Sequence, residues 1–127
     1  MALTEAVGVS GWDSTVPDQN SEHETSEADL DRKIIDLGHA VALNPKNANA
    51  YRDRALFYVR KRDFNHALND LDRAILLNLR DAHAYYLRGQ ILRIKKENTK
   101  AIADFDKAIE LDPANANFYR THRETAF

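Results

Sequence analysis

Two carboxylate pairs, Asp70-Leu71-Asp72 and Asp104-Phe105-Asp106, are the residues in this chain best suited by type to hold a metal ion or a metal-bound phosphate. That chemistry needs both carboxylates to converge on one point. Each pair lies in a stretch with helical apolar spacing, and residues two apart on a helix point to different sides, so neither pair chelates one ion. The spacing predicts surface ion pairs instead, Asp70 with Arg73 and Asp104 with Lys107. The five histidines form no i,i+4 pair and have no glutamate at zinc-site spacing, so His66 and His83 read as solvated side chains rather than ligands. The absence of cysteine removes thiolate zinc sites, disulfides and thiol nucleophiles together. Gly8-Val9-Ser10-Gly11 has its second glycine misplaced for a nucleophile elbow, and four glycines in the whole chain leave no phosphate-cradling loop. The expectation is a protein with no catalytic residues, no metal and no cofactor, and not an enzyme.

The elements that carry these residues repeat. Tyr51, Arg54, Ala67, Asp70, Asp72, Ala74, Ile75 and Leu77 recur 34 residues on as Tyr85, Arg88, Ala101, Asp104, Asp106, Ala108, Ile109 and Leu111. At twice that spacing, Ala40-Val41-Ala42-Leu43-Asn44-Pro45 is echoed by Ala108-Ile109-Glu110-Leu111-Asp112-Pro113. Self-similarity at such a period marks a repeat array. Ala67, Leu68, Leu71, Ala74 and Ile75 fall at the spacing of one buried helical face, and Ala101, Ile102, Phe105, Ala108 and Ile109 keep it. Ala55 and Gly89 stand where a large side chain would hold two helices apart, with Tyr51 and Tyr85 supplying bulk beside them. Asn44-Pro45 and Asp112-Pro113 close helices, because proline disfavours the helical conformation in the residue before it. Leu79 replaces that proline between the two full repeats, which predicts a less sharply specified turn.

The period and these residues resemble the tetratricopeptide repeat, a helix–turn–helix unit of about 34 residues with large and small side chains at fixed places. The resemblance covers residues 29–123. It implies an all-α fold, a right-handed α-solenoid of antiparallel helix pairs with about six helices. Residues 1–28 then form a tail and 29–127 the repeat domain, divided into a half repeat (29–47), two repeats (48–81 and 82–115) and a terminal half repeat (116–127). With the register run backwards, Pro17, Asn20, Ser21 and Glu24 fall at the places of Tyr51, Arg54, Ala55 and Tyr58, so the first helix of the first unit is missing. Its second helix keeps Leu30, Ile34, Leu37, Val41 and Leu43 as an apolar face, with Ser26-Glu27-Ala28-Asp29 as a capping box. Lys33 stands where Ala67 and Ala101 occur later, while His122 and Arg123 replace Arg54-Ala55 and Arg88-Gly89, which reads as a solvated end.

Composition bounds the rest. At 127 residues and a net charge of -2 the chain is one domain without global bias toward nucleic acid or membrane. No apolar run approaches the roughly 18 residues of a spanning helix, and the start lacks the pattern of a signal peptide, so the expected compartment is cytoplasmic, with no membrane partner. Residues 1–28 carry Glu5, Asp13, Asp18, Glu22, Glu24 and Glu27 with no lysine or arginine and are rich in small polar residues, the composition of an acidic disordered tail.

By resemblance to the family, the first helices line a concave groove that binds a peptide, here through Arg52, Leu56, Val59, Arg60, Tyr86, Gln90, Arg93 and Arg120. Its arginines offer bidentate donors and its apolar residues exceed what a solvated surface needs, so the expected partner is a protein or peptide segment with acidic and apolar residues. The competing reading is that Leu56, Val59 and Leu87 pack against neighbouring helices. Family members that grip the C-terminal carboxylate of chaperones use lysine and asparagine on the first helix, asparagine on the next, and lysine and arginine on the third. Those places hold Arg52 and Leu56, then Leu87, then Asn117 and Thr121, so a clamp of that type is not expected. Arg60-Lys61-Arg62 and Lys95-Lys96 occupy the same place in successive repeats and predict a basic edge. That edge either satisfies helix C-termini or binds an anionic polymer; nucleic acid is the less favoured partner because Tyr51 and Tyr85 are committed to the core rather than to base stacking.

Overall fold

The structure, a computed structural model, describes residues 26–124. The acidic tail before residue 26, with the segment 8–11, lies outside the described residues, as do 125–127. Six α-helices follow one another: α1 Glu27–Leu43, α2 Ala48–Arg60, α3 Phe64–Leu77, α4 Ala82–Ile94, α5 Asn98–Leu111 and α6 Ala116–Glu124, with a 3-10 turn Pro113–Asn115 before the last. Among the described residues there is no strand, and no helix is long and apolar enough to cross a membrane. Two units divide at Asp31. The described part of the first is the start of α1, where Ser26 Oγ accepts from the Asp29 N–H at 3.1 Å, half of a capping box. The helix thus begins at Glu27, two residues inside the stretch read as tail.

In the second unit, α2 packs along α3 and α4 along α5, while α3 meets α4 and α5 meets α6. The helices α2 and α4 each start at a side chain that satisfies an orphan N–H: Asn47 accepts from Ala50 and Asp81 from Ala84. The turns from first to second helix are closed by residues at positive φ, Arg62 at 62° and Lys96 at 66°. There Asp63 N–H reaches Tyr58 O at 2.9 Å and Glu97 N–H reaches Leu92 O at 2.8 Å, the paired closure usually built on glycine.

The core runs through both full pairs: Ala55, Ala67, Leu71, Ala84, Ile91, Ala101, Phe105 and Ala108 are at most 1 % exposed. Gly89 is needed for close approach, since a β-carbon there would lie 2.9 Å from the Phe105 ring. The proline-free turn at Leu79 carries the same side-chain bond as the turn at Pro45. Asn78 Oδ1 accepts from Arg80 N–H at 3.1 Å, as Asn44 Oδ1 does from Lys46 N–H, so the asparagine side chain closes the turn in both cases. On α1, Ile34, Leu37 and Val41 are half-buried, but Leu43 is 87 % exposed and does not belong to the apolar face assigned to it.

Candidate functional site

The two Asp-x-Asp pairs are neither chelators nor the surface pairs expected from spacing. Asp70 and Asp104 are buried, and each receives a bidentate arginine from the first helix of its own pair. Arg54 Nε and Nη2 both lie 2.8 Å from Asp70, and Arg88 Nε and Nη2 lie 2.8 and 2.9 Å from Asp104. Arg88 also reaches back to Asp72 of the preceding helix at 3.0 Å, and Arg123 does the same to Asp106 at 2.8 Å. The carboxylates thus form a ladder that ties each first helix to a second helix. The hydrogen bonds to Asp70 and Asp104 hold both guanidinium groups more firmly protonated than a free arginine. The partners are 16 residues apart in sequence, so helical spacing had no means of finding them. The signal was their shared recurrence: Arg54 with Asp70 repeats as Arg88 with Asp104.

The residues assigned to the groove divide. Arg52 Nη1 lies 2.9 Å from Asp81 Oδ2, so its carboxylate partner is the buried N-cap of α4. Its guanidinium and burial together lower the pKa of His83, burial being the larger cause. Leu56 and Val59 are half-buried against the core, as the competing reading had it. Tyr86 is the clearest correction. It is 8 % exposed, and Leu87 beside it 5 %, because α6 closes over α4. The Tyr86 ring centre lies 6.0 Å from that of Phe105, 5.1 Å from Phe118, 5.4 Å from Tyr119 and 5.3 Å from His122, and burial pushes its phenol pKa up. Gln90 and Arg93 are half-buried on α4, while Arg60 and Arg120 are exposed. Arg120 bonds Asn117 within its own helix at 2.9 Å.

Sequence reasoning missed Phe118. It occupies the place of Ala50 and Ala84, which are buried, yet it is 51 % exposed and lies against Tyr86 and His122. At the other end of the first-helix face, a cleft of about 450 Å³ between α1 and α2 is lined by Lys33, Asp36, Leu37, Asp53, Leu56 and Phe57.

On the edge, Arg60, Arg62, Lys95 and Lys96 are exposed and Lys61 is half-buried. Lys95 Nζ reaches Asn65 Oδ1 of the preceding repeat at 3.2 Å, which brings the two turns side by side. Asp63 and Glu97 follow the cations directly and pair with His66 and Lys100, so the stripe is mixed in sign. Among the described residues, no cluster of histidine and carboxylate side chains has the makings of a metal site. His66 is held by Asp63 at 2.7 Å and stacks on Tyr58, and His83 stacks on Tyr86.

Helix pairs at this period, with small residues at the close contacts and a ladder between pairs, define a helical repeat protein. The tetratricopeptide repeat family model matches residues 52–116, just over half of the 127, and the chain belongs to that family. Solved structures that share the fold include the following three. The TPR2B domain of yeast Sti1, in complex with an Hsp70 peptide, has a TM-score of 0.74 at 18 % identity, over 86 % of this chain and 91 % of that one. The TPR domain of Arabidopsis OM64 has a TM-score of 0.73 at 23 % identity, over 86 % and 89 %. The second TPR domain of human RPAP3, in complex with the HSP70 peptide SGPTIEEVD, has a TM-score of 0.72 at 23 % identity, over 86 % and 90 %. No curated protein matches the chain.

Proposed function

We propose that this chain is a protein-interaction module, a cytoplasmic adaptor that takes a peptide segment with acidic and apolar residues on the face of its first helices. The observation that carries the reading is Phe118, a half-exposed aromatic ring at a place where the other repeats bury alanine, on the same helix as the exposed Arg120. Aromatic and arginine side chains dominate binding energy where they meet a partner. The cleft beside Leu37, Leu56 and Phe57 offers a second apolar contact, with Arg60 exposed at the end of α2. Peptide complexes of the yeast Sti1 and human RPAP3 domains support peptide binding by this fold. The chemistry of this face differs from a carboxylate clamp: Arg52 already holds Asp81, Leu87 is buried, and Leu56, Asn117 and Thr121 carry no charge. The mixed sign of the edge argues against nucleic acid as the main partner.

Fluorescence anisotropy with labelled acidic–apolar peptides, the peptide SGPTIEEVD and a single-stranded oligonucleotide tests this. Acidic–apolar peptides are expected to bind, and Phe118→Ala or Arg120→Glu to weaken them about tenfold, roughly 1.4 kcal/mol. Binding that neither substitution changes overturns the assignment of the face, and tighter binding of the oligonucleotide favours the edge.

A further inference from the structure

The two full pairs differ where each first helix ends and its second helix begins. In the first pair Tyr58 and His66 stack there, with ring centres 5.1 Å apart and planes 22° from parallel. Their places in the second pair are held by Leu92 and Lys100, which carry no ring. A cavity of about 490 Å³ opens beside them, among Leu68 and Asp72 of α3, Arg88 and Leu92 of α4, and Lys100 and Ala103 of α5, with Glu97 at its rim. Cavities that take small ligands measure about 300–1,000 Å³.

The arginines carry the same difference. The Arg54 guanidinium carbon lies 5.8 Å from the centre of the Tyr51 ring and 6.0 Å from that of Tyr58, so it is held between two aromatic groups. Arg88 keeps the first of these contacts, 5.7 Å from Tyr85, but has Leu92 at the place of the second ring. Both guanidinium groups are fixed along one edge by a bidentate aspartate, Arg54 by Asp70 and Arg88 by Asp104, and Asp72 pins Arg88 once more. A guanidinium bound by its edge keeps its faces for stacking on a ring, and Arg88 lines the cavity.

The walls suit a neutral ring with one polar end. Leu92 is 9 % exposed and Leu68 half-buried, which gives an apolar floor. At the rim the carboxylates of Asp72 and Glu97 are exposed and can accept a hydroxyl hydrogen. Three carboxylates, Asp72, Glu97 and Asp104, stand against two cations, Arg88 and Lys100, so an anionic occupant is disfavoured.

We propose that this cavity is a second binding site, taking a tyrosine side chain of a partner protein in the place that Tyr58 fills in the preceding pair. The ring stacks on Arg88 over Leu92, and its hydroxyl donates to Asp72 or Glu97. None of the residues assigned above to the first-helix face lines the cavity, so this site stands apart from the peptide reading.

Amide chemical-shift titration of the full chain with N-acetyl-tyrosinamide, N-acetyl-leucinamide and a pentapeptide with one central tyrosine tests this. The two tyrosine probes are expected to shift the signals of Leu92, Lys100 and Ala103 and to saturate with dissociation constants on the order of 1 mM, with the leucine probe at least about tenfold weaker. Leu92→Tyr with Lys100→His supplies the ring from within and is expected to weaken both tyrosine probes at least about tenfold. Absence of shifts at these residues, equal binding of the leucine probe, binding of the amide but not of the pentapeptide, or unchanged binding by the double variant each overturns the proposal. Should the double variant lose its helical signal, Ala103→Phe decides, at an exposed position of the same wall. It is expected to weaken the tyrosine probes by a similar factor, and unchanged affinity overturns the proposal.

Discussion

The Phe105 ring fills the space left by the missing side chain of Gly89: a β-carbon at residue 89 would stand 2.9 Å from ring atom Cε1 and 3.1 Å from Cδ1 and Cζ. The equivalent pair one repeat earlier is Ala55 with Leu71, a larger residue on the first helix and a smaller one on the second, both fully buried. Small and large are traded between positions so that the distance between helices is kept.

That trade makes the first prediction a paired one. Phe105 is fully buried and its ring cannot move aside. Gly89→Ala is therefore expected to cost about 0–2 kcal/mol, an overpacking penalty of about 1–3 kcal/mol offset by about 1 kcal/mol of helix propensity. Adding Phe105→Leu recreates the Ala55–Leu71 arrangement, and the double variant should be more stable than the sum of the single changes by at least about 0.5 kcal/mol. Urea denaturation of the four proteins in the cycle measures the coupling.

The carboxylates of the ladder should separate by burial rather than by bond length. Asp104 is 6 % exposed and its loss strands the half-buried Arg88, so Asp104→Ala is expected to cost about 2–3 kcal/mol, below the 3–5 kcal/mol of a fully buried pair because the arginine keeps some water. Asp72 contacts the same arginine at 3.0 Å with its side chain 59 % exposed, so Asp72→Ala should cost under about 1 kcal/mol. Equal losses in chemical denaturation would show that burial does not set the scale.

A rung is missing at Gly38, which stands where Asp72 and Asp106 occur. A β-carbon there would lie 3.6 Å from Arg54 Nη1, an ordinary contact with the group that an aspartate would bond. Gly38→Asp is expected to stabilise by about 0.5–1 kcal/mol through backbone entropy and the ion pair, visible as a higher urea midpoint that falls back in high salt.

Alkaline titration should single out Tyr119. Burial, and then donation of its hydroxyl to Asp112 at 3.0 Å, push its pKa up to about 12 from an ordinary 10.0. Between these values the folded chain keeps a proton that the unfolded chain loses, so stability falls as pH rises through this window and is indifferent to this group below it. Urea midpoints from about pH 9 to about pH 11 should decline, and Tyr119→Phe should flatten the decline.

Period, helix pairing and core were legible in the sequence because they depend on spacing along one helix and on volumes repeated every 34 residues. Gly89 opposite Phe105 is such a case: a residue without a side chain and a large ring recur in register with alanine and leucine. The partners of Asp70 and Asp104 were not legible. Each carboxylate has an arginine three or sixteen residues away, or a lysine three away, and only the folding of one helix onto its mate shows which distance is short. The same holds for Tyr86. Its register position assigned it to the open face, and only the closing of α6 over α4 buried it beneath Phe118 and Tyr119. A repeat period determines which face each residue takes within a unit; what covers that face depends on how neighbouring units pack, which spacing along the chain does not record.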